Sequence, residues 1–411
     1  MELKLFDTME RQLVPFRFRN NQVNMYVCGP TTYSPPHVGH ARSYIIFDTL
    51  AKYLRYNGLD VKYVQNITDM GKNIKRRADE MGCAVTEIVD QFEKEYFQVM
   101  DSLNVDSVDI YERSSANIDL IVSQIDRMLE SGSAYRNEDG VFFDTTKHLD
   151  FGAILNKQRH ELELVMQHLK KRDCLDFSLW DFDSSWGVVF QSKYGLGKPH
   201  WHIQDTAIAE KHFWDTCYDI HGAGTDCIYP HHESIRLVLR SLSGNVEPVN
   251  FWLHNGLVNV NGEKMSKSSN NSISADSILR KYGVPAVRCA LLAIDYRMPI
   301  EFDEIHFDEW AEKTHGLELL VGELCKNRNK NVPNREYGIF TPYEQKFMQA
   351  MDDNMNISAA ISVAYLFAEE IRTRINDRNM TRDLINQAYS LLYQFDYILG
   401  LGIIKNGGKN E

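Results

Sequence analysis

The 411-residue chain contains no apolar run of about 18 residues, the length a membrane-crossing helix needs. Its first residues, Met1-Glu2-Leu3-Lys4-Leu5, lack the apolar stretch of a secretion signal. There is no internal repeat, no low-complexity segment and no C-x-x-C pair. Seven cysteines, an odd count scattered over a long chain, exclude a disulfide framework and predict a reduced, cytoplasmic protein. Basic charge is short: 45 Lys and Arg against 57 Asp and Glu leave a formal net charge of −12. That balance argues against a general nucleic-acid coat, though not against a local basic groove. What is present is ordinary globular composition, 43% hydrophobic and 25% charged, which excludes a disordered or collagen-like chain. The length suggests about two or three domains with a sizeable core.

Strand and helix signals alternate over the first hundred residues. Val23–Cys28 reads as a strand, followed by the turn-rich Gly29-Pro30-Thr31-Thr32-Tyr33-Ser34-Pro35-Pro36. An amphipathic run from about His40 to Tyr56 places Ile45, Ile46, Leu50 and Leu54 on one face, and Val61–Val64 is a second strand. Strand, helix, strand implies a parallel sheet with a right-handed crossover. Residues 73–103 read as helix, as does Ser115–Tyr135, and Gly140–Phe143 is a short strand. Asp144–Lys198 reads as irregular apart from a charged helix near 160–171. Sheet signals return at Trp201–Ile203, Tyr218–His221 and Phe251–Val260. From about 308 to 400 the pattern is helical, with Ser358–Ile375 an example and Asn406–Glu411 a fraying tail.

Two motifs carry chemistry. His37-Val38-Gly39-His40 lies between the first strand and its helix. Open parallel sheets bind ligands there, where backbone N–H groups and the helix dipole favour phosphate. Gly39 allows close approach, and His37 and His40 can donate to phosphate oxygens. Alone, H-x-G-H is equally compatible with two idle loop histidines. Lys264-Met265-Ser266-Lys267-Ser268 changes the balance. Two lysines three apart with small hydroxyl residues between them form a cationic clamp for charge developing on β- and γ-phosphates. A charge run is usually a solvated loop, but this pair of motifs is far more specific than either alone.

The pair resembles the signature of class I aminoacyl-tRNA synthetases. Met25-Tyr26-Val27-Cys28-Gly29-Pro30-Thr31, Tyr63-Val64-Gln65-Asn66-Ile67-Thr68-Asp69, Trp201-His202-Ile203, Asp219-Ile220-His221-Gly222-Ala223-Gly224-Thr225-Asp226 and Pro230-His231-His232-Glu233 narrow the likeness to cysteinyl-tRNA synthetases. It runs in order from about residue 3 to about 400. The resemblance implies an α/β fold: a Rossmann-like parallel-sheet catalytic domain with an insertion and a C-terminal helical bundle. It implies a catalytic body at 1–114 and 200–260, an insertion at 115–199, a KMSKS loop and stem-contact region at 261–307, and a bundle at 308–411 with no anticodon-binding domain. It further implies ATP with Mg²⁺ as cofactors. His37, His40, Lys264 and Lys267 would act on ATP, with Met265 and Ser266 in its clamp. Asp226 would hold the ribose, Gly222 and Gly224 would leave room for adenine, and Thr68 and Trp201 would line the amino-acid pocket.

The family holds Zn²⁺ on a Cys at the first strand end, a Cys closing W-H-I-E-C, and the first His and last Glu of H-H-E-N-E. Cys28 and His231 match, but Asp205 stands for the second Cys and Ile235 for the Glu. Two outcomes stay open. Cys28, Asp205 and His231 can form a three-ligand zinc site with an open position, since zinc accepts all three residue types. The carboxylate makes such a site harder. Alternatively the pocket is metal-free and Asp205 faces the substrate side chain, favouring a cationic or hydrogen-bonding group over a thiol. Met70-Gly71-Lys72, Trp180-Asp181 and Gln204 are milder departures.

The chain also stops near Tyr397–Gly402, where the family continues into an anticodon-reading domain. In this it resembles the cysteine ligase of mycothiol biosynthesis. The leading expectation is therefore an ATP-dependent ligase that forms an aminoacyl-adenylate from cysteine or another amino acid and passes it to a small-molecule amine. Apolar spans such as Ile361–Phe367 and Leu391–Leu401 would make the bundle a support for the KMSKS loop. One alternative acylates tRNA, with Arg372, Arg374, Arg378 and Arg382 contributing to a basic stripe. Another is a non-catalytic paralogue that binds ATP or an amino acid. A plain nucleotidyltransferase would leave Trp201–Asp205 and KMSKS unexplained.

Overall fold

The computed structural model describes residues 1–162, 170–183, 188–213, 218–244, 246–266, 271–328 and 337–404. Its centre is an all-parallel sheet. Strand β1 (Gln22–Val27) leads into helix α1 (Val38–Tyr56), which returns to β2 (Asp60–Ile67). Strands β3 (Ile110–Arg113), β4 (Tyr218–Gly224) and β5 (Val249–Asn255) complete it in the order β5-β4-β1-β2-β3. The order reverses between β1 and β4. An open α/β sheet has its ligand crevice at such a switch point, beyond the strand C-terminal ends. Ile45, Ile46, Leu50 and Leu54 of α1 are all buried, as their spacing predicts.

The run 73–103 forms two helices, Lys72–Met81 and Val85–Ser102. Gly82 breaks it by taking φ 64°, the left-handed C-cap conformation that costs glycine least. Trp201–Ile203, read as sheet, opens the helix Trp201–Phe213 instead. The short run W-H-I carries no period that separates the two states. The stretch 144–198, read as irregular, holds the strands Phe177–Asp181, Phe190–Ser192 and Gly195–Pro199. They join Ala134–Arg136 and Gly140–Phe143 in a five-stranded antiparallel sheet over its own apolar cluster. All five residues of Phe177–Asp181 are buried, so the alternation that marks a half-exposed strand is missing. Of the charged helix expected near 160–171, Arg159–Glu161 is a single 3₁₀ turn, and 163–169 lie outside the described residues.

Four helices follow: Glu304–Asn327, Thr341–Asp352, Ile357–Asn376 and Arg382–Leu399. Their Phe347, Met351, Leu391 and Phe395 share one apolar cluster with Leu50, Tyr53 and Leu54 of α1. Bundle and sheet are joined again through Arg288. Its guanidinium pairs with Asp48 of α1 at 2.8 Å, both side chains fully buried, and donates to the carbonyls of Leu103 and Leu399 at 2.9 and 2.7 Å. Among the described residues, no helix is long and apolar enough to cross a membrane.

Candidate active site

The crevice at the switch point is a cavity of about 290 Å³ whose walls include Cys28, His37, Gly39, His40, Gly224, Asp226, Lys264, Met265 and Ser266. Two motifs about 220 residues apart in sequence thus meet at one hollow. His37 is the N-cap of α1, and the pair caps itself reciprocally. His40 N–H donates to His37 Nδ1, and His37 N–H donates to His40 Nδ1, each at 3.3 Å. The rings stack with centroids 3.8 Å apart. With both Nδ1 atoms accepting, the neutral rings carry their protons on Nε2, so each presents an Nε2–H donor. These donors stand at the positive end of a 19-residue helix, which suits an anion.

Lys264 Nζ pairs with Asp226 Oδ2 at 2.5 Å across one wall. Both side chains are more than a third exposed, so the pair is worth only about 0.2–1 kcal/mol and yields readily to a ligand. Met265 is buried and its N–H donates to the Val258 carbonyl, while Asn271 bridges Ser266 N–H and the Lys264 carbonyl. These bonds fix the loop up to Ser266; Lys267 lies outside the described residues. Gly222 stands off the cavity. A Cβ there would come 2.4 Å from the Phe47 ring, so its smallness serves the packing of α1 on β4. A Cβ on Gly224 would come 2.6 Å from Asp226 Oδ1. Thr68 Oγ1 accepts from Asn66 at 3.1 Å and its backbone is pinned to Pro30 and Thr32; it does not line the cavity.

Cys28, at the end of β1, connects this cavity to a buried cluster. Its Sγ lies 3.4 Å from Asp205 Oδ2, 3.6 Å from His231 Nε2, 3.2 Å from His232 Nε2 and 3.5 Å from His221 Nε2. His231 Nε2 is 3.0 Å from Asp205 Oδ2. The three residues singled out from sequence, Cys28, Asp205 and His231, are therefore in mutual contact. Burial, then the charge of Asp205, pushes the Cys28 thiol well up. Burial also pushes His202, His221 and His232 well down, and His200 and His254 to about 3. Burial therefore favours the neutral rings, the form in which an imidazole nitrogen can accept a hydrogen bond or ligate a metal.

Trp201 is 42% exposed and stacks on His231 at 4.2 Å. Its Nε1–H donates to His202 Nε2, which puts the His202 proton on Nδ1, 2.9 Å from His231 Nδ1. His231 then carries its own proton on Nε2, facing Asp205. Ile235 is fully buried in an apolar cluster with Tyr26, Ile208 and Trp252. Glu233 turns away and accepts from Gly152 and Leu155 N–H.

The cluster fits a metal ion by distance. A four-coordinate zinc with bonds of about 2.3 Å to sulfur and about 2.0 Å to nitrogen holds its donors roughly 3.3–3.6 Å apart. The observed separations around Cys28, Asp205 and His231 are 3.0–3.6 Å. Sequence reasoning did not single out His232, His221, His202 or His254. The available signal was density: 7 of the 14 histidines fall between 200 and 254.

Residues 15–312 match the family described as tRNA synthetases class I (C) catalytic domain, and 346–403 match the DALR domain. The cysteine–tRNA ligase of Thermoplasma volcanium is 42% identical over 74% of this chain and 68% of its own length. That of Listeria monocytogenes is 32% identical over 98% of this chain and 87% of its own. The fold is shared with Mycobacterium tuberculosis methionyl-tRNA synthetase bound to methionyl-adenylate (TM-score 0.66, 15% identity, 92% of this chain and 90% of that one). It is shared too with the Agrobacterium radiobacter LeuRS in its ternary complex (TM-score 0.68, 11% identity, 94% and 85%). The chain belongs to the class I (C) tRNA synthetases, a family of ATP-dependent ligases, and carries both the catalytic and the DALR match.

Proposed function

We propose that the protein activates cysteine with ATP and transfers it to tRNA. The observation that carries the reading is the single cavity that joins the His37–His40 cap and the Lys264–Ser266 loop to Cys28. The substrate carboxylate would attack the α-phosphate in line, with no protein nucleophile. Nε2–H of His37 and His40 and the Lys264 ammonium would stabilise charge as pyrophosphate leaves. Lys264 would exchange Asp226 for phosphate, which frees Asp226 for the ribose. Mg²⁺ would accompany ATP and share the charge of its phosphates. Zinc, held by Cys28, Asp205 and His231, would supply a Lewis acid that favours a thiolate side chain.

The sequence alone put a small amine first as acceptor. The named activity of the relatives favours tRNA instead. A second hollow of about 540 Å³ supports this. It shares Tyr33 and His37 with the first and adds Arg76, Arg77 and Asn73 of the helix Lys72–Met81. Guanidinium groups beside the catalytic histidine suit the phosphates of an RNA 3′ end. The test is acylation of total tRNA with labelled cysteine. One tRNA species should be charged, with a steep fall as salt rises. Formation of the adenylate without charging of any tRNA would overturn the acceptor.

A further inference from the structure

We propose that His232 is the fourth donor of the metal centre, so that the set is Cys28, Asp205, His231 and His232, and that His254 is the positioning residue that aims it. The proposal deepens the metal part of the reading above and rests on it.

The first ground is distance. Cys28, His231 and His232 each offer a ligand atom within 4.8 Å of the other two, and His232 Nε2 is 3.2 Å from the sulfur. His232 is nearer to the thiol than either Asp205 or His231 is. The second ground is orientation. His232 Nδ1 lies 2.8 Å from His254 Nε2, and His254 Nδ1 lies 2.8 Å from Thr8 Oγ1. If His254 donates to Thr8, its Nε2 accepts the His232 Nδ1 proton, and His232 Nε2 is left as a bare lone pair aimed at the cluster. A ligating histidine is held in this way, with its other nitrogen donating to a fixed partner. The rings of His232 and His254 are both buried, so neither orientation is set by solvent.

The third ground is what the rest of the cluster offers. Ile235 gives no donor and is packed among apolar side chains. His221 is also close to the sulfur, at 3.5 Å, but its other nitrogen faces the Tyr218 hydroxyl at 2.6 Å, a partner that can donate to it. One sulfur, one oxygen and two nitrogens make a harder set than two thiolates would. Zinc and cobalt(II) both accept it in tetrahedral geometry.

The test loads the full chain with Co²⁺ alone and then with Zn²⁺, and reads the metal rather than catalysis. Expected are one ion per chain, a sulfur-to-cobalt charge-transfer band and the intense visible bands of a four-coordinate ion. His232→Ala should lower Co²⁺ affinity by about 100-fold or more and weaken the visible bands. His254→Gln should lower it by about 10–100-fold with the band positions kept, the signature of an outer partner. His232→Gln serves if the alanine variant does not fold. X-ray absorption of the zinc-loaded wild type needs no variant: it should show one sulfur near 2.3 Å and two imidazoles near about 2.0 Å. A single imidazole, unchanged affinity and spectrum in both His232 variants, or no stoichiometric uptake of either ion would overturn the proposal. Because none of these readouts involves ATP or tRNA, failure of aminoacylation and failure of the donor set are separable.

Discussion

Lys264 shows how little of a side chain's role can lie in stability. The Lys264–Asp226 pair is exposed, so Lys264→Ala should change unfolding free energy by less than about 1 kcal/mol. The same change should lower adenylate formation by about 10²–10³, the scale of removing one preorganised charge contact. Stopped-assay adenylation beside a urea melt separates the two. Trp201 gives a second prediction. Metal at His231 Nε2 requires the proton to leave that nitrogen for Nδ1. His202 must then accept at Nδ1 and donate at Nε2, which breaks its bond from Trp201. Adding Zn²⁺ should therefore change tryptophan emission, and Trp201→Phe should reduce the change to the part that comes from Trp252 beside His221 and His232. Equal changes in both proteins would contradict the relay. At this scale the two motifs could be read because each is a short run, and the structure brings His37, His40 and Lys264 to one cavity. His232 and His254 could not be read, since their meaning comes from β1, the helix at 201–213, the turn at 228–232 and β5 meeting in space.

At the scale of elements, the same logic separates what could be read. α1 and β1–β2 carry strong periodicity and were legible, as was Gly140–Phe143 to the residue. The break at Gly82 and the buried strand Phe177–Asp181 were not, because one depends on a single left-handed residue and the other shows no alternation. The last helix, Arg382–Leu399, ends at Gly400 with φ 66° and hands the chain to Asp396, whose carboxylate accepts from Ile403 and Ile404 N–H at 3.0 Å each. Burial nevertheless raises Asp396 from 3.8 to about 6. A raised acid holds its proton more tightly when folded. Its contribution is full below about pH 4 and is lost as pH rises through about 6, amounting to about 3 kcal/mol. The stability advantage of wild type over Asp396→Asn should shrink by up to that amount between pH 4 and pH 7.5. Parallel pH profiles for the two proteins would contradict it.

Arg288 is a buried polar tie that links α1, the segment after Val85–Ser102 and the end of the last helix. Arg288→Met leaves Asp48 buried with only Lys52 to balance it, and should cost about 3–5 kcal/mol in a urea titration. Asp48→Asn in the same chain should recover part of that loss. The sequence showed Asp48 and Arg288 only as charges on two helical patterns, with nothing to pair them across 240 positions. The second hollow makes a further distinction at this scale. Arg76→Ala with Arg77→Ala should raise KM for tRNA and leave ATP-dependent adenylation unchanged, because both guanidinium groups lie outside the first cavity.

The central claim is that one cavity unites the two phosphate motifs with the Cys28 cluster to activate an amino acid. Amino-acid-dependent exchange of pyrophosphate into ATP, run across the common amino acids with wild type and His40→Ala, tests it most directly. The account predicts exchange that depends on cysteine and falls by about 10²–10³ in the variant. Exchange with no amino acid, or exchange that His40→Ala leaves intact, would contradict it.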